Sequence, residues 1–410
     1  MGLLTLALSQ APALAGTFAI TGGQWFDGQD FRADHWYIDS RGTFTKRKPE
    51  NIDHVIDASG KYLLPPFADA HNHNLQNAWG VNNFGPLQQK SGIYYLAQMC
   101  DFGEGLRAQF AGAETLDVRY SSDCISASDG HPLGLILAGE SGEATEAVLV
   151  KAREQFLPVD DPEQLDRAWQ KVLAHKPDFI KVVLIASEKF DERHGAADYR
   201  GINGIDPDLV PEIVARARRL GVPVVAHVDT ARDAAVAIEA GVEVLAHLPG
   251  YRIAKNEGFA KGDYLIDNET IVRAAKQGTK LIATASVPGE HGRYSADELA
   301  EIQEIQKLNL SRLQAAGVPL LMGSDNVFGT VLSEINYLDA LGIADRSALL
   351  RSLTMDTPQW LFPQRRLGRF SEGAEGSFLM LAGNPLENLD FLGKIEIGVK
   401  QGHVMTTAGN

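Results

Sequence analysis

Apolar and polar positions follow two different patterns along the chain. In residues 16–64, and again in residues 366–410, short apolar runs are separated by turn residues such as Gly22, Gly23 and Gly28, which is typical of short β-strands. Neither segment offers enough apolar surface for a core of its own. We therefore predict one small β-sandwich domain that is built from both terminal segments.

Between these segments, strand-like apolar runs alternate with amphipathic, helix-like runs. The strand-like runs include residues 179–184, 222–226, 242–246, 281–284 and 318–322, and the helix-like runs include residues 207–220, 230–240 and 298–316. Repeated β-then-α units with short connections predict a parallel sheet covered by helices. Counting from Leu63 gives close to eight strands over about 300 residues, the size of a (β/α)₈ TIM barrel, here residues 65–365. A doubly wound open sheet is the alternative, which the lack of a Gly-rich phosphate loop after the first strand disfavours.

Composition narrows the partners that we expect. Apolar residues make up 44% of the chain and charged residues 22%, as in soluble globular proteins. With 38 Lys and Arg against 53 Asp and Glu, the net charge of −15 argues against nucleic-acid partners and anionic membranes. We therefore expect a small-molecule substrate, no nucleic-acid partner and no membrane partner. Whether the chain forms a homo-oligomer is left open.

The first 15 residues admit two interpretations. An apolar stretch is followed by Ala13-Leu14-Ala15, as in the core and cleavage site of a signal peptide, but the positive segment that usually precedes such a core is missing. Residues 1–15 are thus either a signal-peptide remnant or an unstructured leader. The first interpretation predicts a periplasmic or secreted protein, and the second a cytoplasmic one. Cys100 and Cys124, the only cysteines, can form at most one bridge, and their pairing is left open.

Polar side chains repeatedly stand within or just after the apolar runs of the central segment. His71 and His73 close the first barrel strand, and residues two apart in a strand project to one face. Later strands carry further candidates in comparable positions: Lys181, His227, His247 and Asp325. A lone histidine on an apolar strand is usually a core residue. Repetition on separate strands, at the end of a TIM barrel where active sites lie, favours a functional set.

The residue types in this set are those of a metal site. Imidazole and carboxylate groups bind zinc and similar divalent ions, and four histidines with one aspartate exceed what a single tetrahedral ion needs. Lys181 is the exception, because an ammonium group repels a cation. Burial and nearby positive charge lower the pKa of a lysine, and the neutral amine can then bind carbon dioxide as an anionic carbamate that bridges two metals. The alternative for Lys181 is a salt bridge across the barrel to Asp325.

These positions resemble the motifs of the amidohydrolase superfamily, and within it the binuclear branch of imidazolonepropionase-like and prolidase-like enzymes. The His-x-His motif after strand one of that family is similar to His71 and His73, and its carboxylated strand-four lysine to Lys181. Its histidines on strands five and six resemble His227 and His247, and its strand-eight aspartate resembles Asp325. The resemblance covers nearly the whole chain, including the entry to the barrel at residues 57–65 and the return to the sandwich at residues 373–385.

The resemblance also implies further properties of the site. It implies a histidine after strand three that polarises the substrate carbonyl, a position that His131 occupies; the alternative is a loop histidine in a Gly-rich turn. Relatives that cleave dipeptides often carry a tyrosine two residues after the strand-five histidine, where this chain has Asp229. An acidic group would repel a substrate α-carboxylate unless a nearby arginine offsets it. Carboxypeptidase-type activity is therefore not expected. His194, Tyr199 and Arg200 follow strand four and are either pocket-lining or solvated loop residues.

We therefore predict a metal-dependent hydrolase that cleaves a C–N bond of an amide, cyclic amide or carbamate. The expected cofactors are two divalent metal ions, with zinc foremost, and carbon dioxide as the Lys181 carbamate. One metal takes His71, His73 and Asp325, the other takes His227 and His247, and both share the carbamate and a bridging hydroxide. Asp325 is the predicted catalytic base and acid. The alternatives are a mononuclear deaminase-type hydrolase and a non-catalytic exported binding protein on the same scaffold.

Overall fold

The computed structural model describes residues 16–139, 145–254, 257–290, 292 and 294–407. The predicted leader, residues 1–15, lies outside this range. In the described part of the chain, no helix is long and apolar enough to cross a membrane.

The two terminal segments build two mixed sheets that share one core. The first sheet has the order β5-β4-β1-β6 and the second the order β20-β19-β18-β7-β2-β3. Their strands are β1 Phe18–Thr21, β2 Gln24–Phe26, β3 Phe31–Ala33, β4 Trp36–Ile38, β5 Phe44–Thr45, β6 His54–Asp57, β7 Tyr62–Leu64, β18 Phe378–Leu381, β19 Ile395–Lys400 and β20 His403–Thr407. Strands β7 and β18 pair antiparallel, with Leu63 opposite Met380. Apolar side chains of both sheets pack against each other, among them Trp25, Ile38, Phe44 and Phe378.

The central segment forms two parallel sheets. Their strands are β8 Phe67–Asn72, β9 Ile93–Gln98, β10 Asp117–Tyr120, β11 Ile125–Ser126, β12 Leu157–Pro158, β13 Ile180–Leu184, β14 Val224–Val228, β15 Val244–Ala246, β16 Lys280–Ile282 and β17 Leu320–Leu321. One sheet has the order β10-β9-β8 and the other the order β12-β11-β13-β14-β15-β16-β17. The predicted parallel, helix-covered sheet is thereby confirmed. The predicted strand 222–226 is displaced, since β14 extends to Val228 and includes His227.

Backbone contacts connect the two parallel sheets at both ends. A parallel bridge joins Ser121, just after β10, to Phe179, just before β13. On the other side, the Ala70 N–H of β8 donates to the Met322 carbonyl just after β17 at 2.8 Å. The Asp325 N–H donates to the His71 carbonyl, also at 2.8 Å. Residues that are far apart in sequence therefore lie side by side at the carboxyl ends of β8 and β17.

Helices follow most of the parallel strands, and seven of the described helices begin at a residue whose side chain caps them. They are α1 Ala78–Lys90, α2 Leu133–Ala138, α3 Glu146–Arg153, α4 Pro162–His175, α5 Phe190–Arg193, α6 Val210–Leu220, α7 Ala231–Ala240, α8 Asn268–Gln277, α9 Val287–Glu290, α10 Ala296–Ala315, α11 Leu332–Leu341, α12 Arg346–Arg351 and α13 Thr357–Leu361. Helix α7, for example, begins after Thr230, whose side chain forms a capping box with Asp233, and ends at Gly241 in the left-handed conformation. The predicted helices 230–240 and 298–316 agree with α7 and α10 to within a few residues.

A continuous apolar core lies between the parallel strands and the helices, and it includes Leu96, Ile180, Val225, Leu245 and Ile282. Cys100 and Cys124 form a disulfide, with their Cα atoms 4.5 Å apart, between the segments that follow β9 and precede β11.

Candidate metal centre

Three side chains with metal-binding groups meet at the carboxyl ends of β8 and β17. The Nε2 atoms of His71 and His73 lie 3.2 Å apart, and each lies 3.4 Å from Asp325 Oδ1. One ligand atom from each of these residues lies within 4.8 Å of the other two. Two imidazoles and a carboxylate at this spacing form a donor set that suits a divalent cation such as zinc.

His227 and His247 extend this cluster along the sheet. The ring centroid of His247 lies 4.6 Å from that of His71 and 4.4 Å from that of His227. His247 Nδ1 lies 2.7 Å from the Thr284 hydroxyl, so its Nε2 is left for another partner. The structure thus brings together the histidines of β8, β14 and the segment after β15, which the sequence predicts as one site.

His131 also reaches this group. Its ring stacks on His227 with the centroids 5.2 Å apart, and its backbone N–H donates to the Asn203 carbonyl at 2.7 Å. Burial, and then the charge of His227, hold the pKa of His131 well below its usual value. A neutral histidine beside the cluster can donate one N–H to a ligand, as the predicted role requires.

Lys181 is buried in β13 with only 2% of its surface exposed. Within the described part of the chain its Nζ has no hydrogen-bonding partner, so the salt bridge to Asp325 that was the alternative is not formed as a hydrogen-bonded pair. Burial lowers the pKa of Lys181 to about 7, against the opposing effect of the Asp325 charge. A lowered pKa increases the share of neutral amine, which is the form that can react with carbon dioxide.

The environment also keeps the histidines neutral. Burial, followed by the charge of Lys181, lowers the pKa of His73 to about 3 and that of His71 well below its usual range. Burial raises the pKa of Asp325 to about 7, partly offset by Lys181. Neutral imidazole is the form that binds a metal, so the cluster does not need to lose protons from its histidines before it binds one.

Asp229 does not present a free negative charge to the site, because Arg252 pairs with it. Asp229 Oδ2 accepts from Arg252 Nε at 3.0 Å, and the terminal nitrogen of the same guanidinium lies 2.5 Å away. Burial raises the pKa of Asp229, but Arg252 and His227 outweigh this effect and hold it below its usual range. Substrates with an α-carboxylate were expected to be poor unless an arginine lies near Asp229. Arg252 is that arginine. The argument against such substrates no longer applies.

The sequence analysis missed several residues that contact the cluster. Tyr251 stacks on His247 with ring centroids 4.3 Å apart, and the Thr284 hydroxyl lies 2.7 Å from Nδ1 at the edge of the same ring. Asp69 is fully buried and accepts from the backbone N–H of His71 at 3.0 Å. An aspartate inside an apolar strand, two residues before a histidine, is a signal that could have identified Asp69. The positions of Tyr251 and Arg252 depend on a loop path that periodicity does not predict.

The loop after β13 serves the surrounding structure. His194 Nδ1 lies 3.0 Å from Asp129 Oδ1, and the Arg193 guanidinium lies over the Tyr199 ring at 4.5 Å. These contacts stabilise the loop.

Comparison with known proteins finds similarity at the level of the fold. No family model matches the chain, and no curated protein matches it. A Xaa-Pro dipeptidase with methionine bound in its active site is 17% identical with a TM-score of 0.73, covering 95% of this chain and 99% of that one. An amidohydrolase is 21% identical with a TM-score of 0.73 over 96% and 100% of the two chains. The A. niger ochratoxinase is 18% identical with a TM-score of 0.74 over 96% of each chain. In agreement with the resemblance of its motifs, the chain shares its fold with these three enzymes.

Proposed function

We propose that this protein is a metal-dependent hydrolase that cleaves a C–N bond in an amide, cyclic amide or carbamate. The observation that carries the proposal is the convergence of His71, His73 and Asp325, with ligand atoms within 4.8 Å of one another, at the carboxyl ends of parallel strands. The shared fold supports it, because the similar structures include a dipeptidase, an amidohydrolase and an ochratoxinase. The bonds that join Ala70 to Met322 and Ser121 to Phe179 further support a closed barrel as the scaffold.

The residues present fit two divalent ions. His71, His73 and Asp325 would hold one, and His227 with His247 would hold the other. Two histidines alone are too few ligands for the second ion. Lys181 lies near them, and its buried Nζ has no hydrogen-bonding partner among the described residues, so this side chain is the further group that would supply a ligand. Addition of carbon dioxide to the neutral amine forms an N–C bond and releases one proton, which leaves an anionic carbamate. This group would supply a ligand to both ions.

Bound divalent ions supply Lewis-acid polarisation of a carbonyl and lower the pKa of water to near neutrality. The remaining steps belong to side chains of this chain. Asp325 accepts the proton of the attacking water and then delivers it to the leaving nitrogen, which becomes an amine. His131 donates an N–H to the carbonyl oxygen, where negative charge develops. Its position against His227, 5.2 Å between ring centroids, supports this role.

The proposed substrate is a small molecule, with no nucleic-acid or membrane partner. We further propose export to the periplasm or beyond, which the apolar start of the sequence supports. The second candidate function is a mononuclear deaminase-type hydrolase, which the compact three-ligand cluster favours, because three protein ligands and one water complete a catalytic zinc site.

Metal analysis combined with a substrate screen tests the proposal. The purified protein should carry close to two divalent ions per chain by elemental analysis. It should hydrolyse at least one member of a panel of N-acyl amino acids, anilides, lactams and carbamates, and a chelator should abolish that hydrolysis. One ion per chain at full activity would support the mononuclear candidate. A protein that binds no metal under any loading condition would contradict both.

A further inference from the structure

Asp229 is a buried carboxylate that joins a predicted metal ligand to an arginine. It is 4% exposed, and its Oδ1 lies 3.1 Å from His227 Nε2. Its other oxygen accepts both hydrogen bonds from Arg252. Asp229 Oδ2 accepts two N–H groups of Arg252, and Oδ1 is the acceptor that faces His227, so the geometry assigns the proton of the neutral imidazole to Nε2. The lone pair of the neutral ring then lies on Nδ1.

The backbone around Asp229 is fixed on both sides. Its N–H donates to Asp233 Oδ2 at 3.1 Å, and Asp233 also accepts from the N–H groups of Ser187 and Thr230. The Asp229 carbonyl accepts from the Gly250 N–H at 3.2 Å, and this bond ties the segment after β14 to the loop that carries Arg252. The side chain of Asp229 therefore has little freedom to turn away from His227.

We propose that Asp229, held by Arg252, is a positioning residue that fixes the His227 ring with Nε2 protonated and so makes Nδ1 its metal-binding atom. Hydrogen-bonded carboxylates commonly set the tautomer of metal-binding histidines in this way. The same pair leaves the pocket without an unpaired negative charge beside His227. The metal-binding part of this inference depends on the proposed function, whereas the tautomer can be measured without metal.

Asp229→Asn tests the inference with a nearly isosteric change. The arginine will keep the amide oxygen, so the amide NH₂ will face His227 and favour the opposite tautomer, in which Nδ1 carries the hydrogen. We expect metal affinity to fall by about 10- to 100-fold, as for other partners of metal-bound histidines. We expect the metal-free variant to show a changed His227 tautomer in long-range ¹H–¹⁵N spectra of ¹⁵N-histidine-labelled protein. The His227 signals are assigned by their loss in His227→Gln.

Asp178→Asn is the matched control. Asp178 also pairs with an arginine, Arg107 at 2.8 Å, and accepts from the Tyr120 N–H at 2.9 Å, but it lies before the amino end of β13. The Asp178→Asn variant should leave both the zinc affinity and the His227 tautomer unchanged. If Asp229→Asn does not fold, Arg252→Lys takes its place, because it keeps the charge and removes the paired donors. It should weaken zinc binding by a smaller factor.

The outcomes separate the inference from the proposed function. A wild-type protein that binds zinc, together with an Asp229→Asn variant of equal zinc affinity and unchanged tautomer, overturns the inference alone. A wild-type protein that binds no divalent metal under any loading condition overturns the proposed function and the metal-binding part of the inference. If no metal binds, a wild-type His227 that carries its proton on Nδ1 would also overturn the tautomer part of the inference.

Discussion

The Ser324 hydroxyl donates to Asp69 Oδ2 at 2.7 Å, and this bond links the strand that carries His71 to the segment that carries Asp325. Asp69 Oδ1 also accepts from the backbone N–H groups of His71 and Ser324, each at 3.0 Å. One fully buried carboxylate thereby fixes the backbone next to two proposed ligands, His71 and Asp325, which lie near the two ends of the central segment. The geometry of the three-residue cluster depends on it.

Asp69→Ala should therefore reduce both stability and metal binding. The change leaves the buried donors of His71 and Ser324 without an acceptor, at a cost of about 1–3 kcal/mol for each unsatisfied group. Urea unfolding and elemental analysis measure the two effects. Asp267→Ala, which removes only the N-cap of α8, should cost about 1 kcal/mol and leave metal content unchanged. A metal content in Asp69→Ala equal to that of wild type would show that Asp69 has no part in placing the ligands.

Lys181→Ala should lose bound metal and activity together while the fold is retained. The proposed carbamate is the ligand shared by both ions, and alanine cannot form it. Circular dichroism reports the fold and elemental analysis the metal. Short carboxylic acids at high concentration should restore part of the activity by occupying the vacated position. A crystal structure of the metal-loaded wild type with a bare amine at Lys181 would contradict the carbamate.

Asp325→Asn should keep the fold and much of the metal while activity falls. Asparagine is nearly isosteric with aspartate but cannot accept the proton of the attacking water, and loss of general acid–base catalysis costs about 10²–10⁴ in rate. The measurement is kcat on the best substrate of the panel, with metal content determined on the same sample. A kcat close to that of wild type would limit Asp325 to a structural ligand.

His131→Ala should lower kcat without changing metal content, because the proposed N–H donor acts on the substrate and not on the ions. Steady-state kinetics with parallel elemental analysis separates these effects. His194→Ala serves as a control, since His194 contacts Asp129 and not the cluster. Identical kinetics for His131→Ala and wild type would return His131 to a loop residue that only packs against His227.

Glu334 should make stability depend on pH. It accepts from the backbone N–H groups of Ala285 and Ser286, and burial raises its pKa from 4.5 to about 7. The folded state holds the Glu334 proton more tightly than the unfolded state does. The stabilisation that Glu334 contributes to the free energy of unfolding is therefore fully present below pH 4.5 and is lost as the pH rises through 7. The free energy of unfolding should fall by about 3 kcal/mol over this interval relative to Glu334→Gln.

Urea unfolding of wild type and Glu334→Gln at several pH values measures this difference. Glu269→Gln, at a side chain that is 84% exposed, should instead follow the wild-type pH profile. Parallel profiles for wild type and Glu334→Gln would show that folding does not shift the pKa of Glu334.

The sequence predicts the parallel strands and the ligand set because both depend on local pattern. Alternation of β13, β14 and β15 with amphipathic helices is visible in residue order, and so are Lys181 in β13, His227 in β14 and His247 just after β15. The pairing of Asp229 with Arg252 is not visible in residue order, because these residues lie on separate loops. The paths of the loops are set by tertiary hydrogen bonds such as the one from the Gly250 N–H to the Asp229 carbonyl. The expectation about α-carboxylate substrates depended on this one contact. The disulfide between Cys100 and Cys124 was undecided for the same reason.

The pairing of Leu63 with Met380 has a consequence for synthesis on the ribosome. Strand β7 emerges early, but its antiparallel partner β18 is translated only after the whole central segment. Until then, β7 offers unpaired backbone groups on one edge, a surface on which other chains can align. The nascent protein therefore depends on prompt folding of the central segment, which brings β18 to that edge. A truncated product that ends before residue 378 should collect in inclusion bodies.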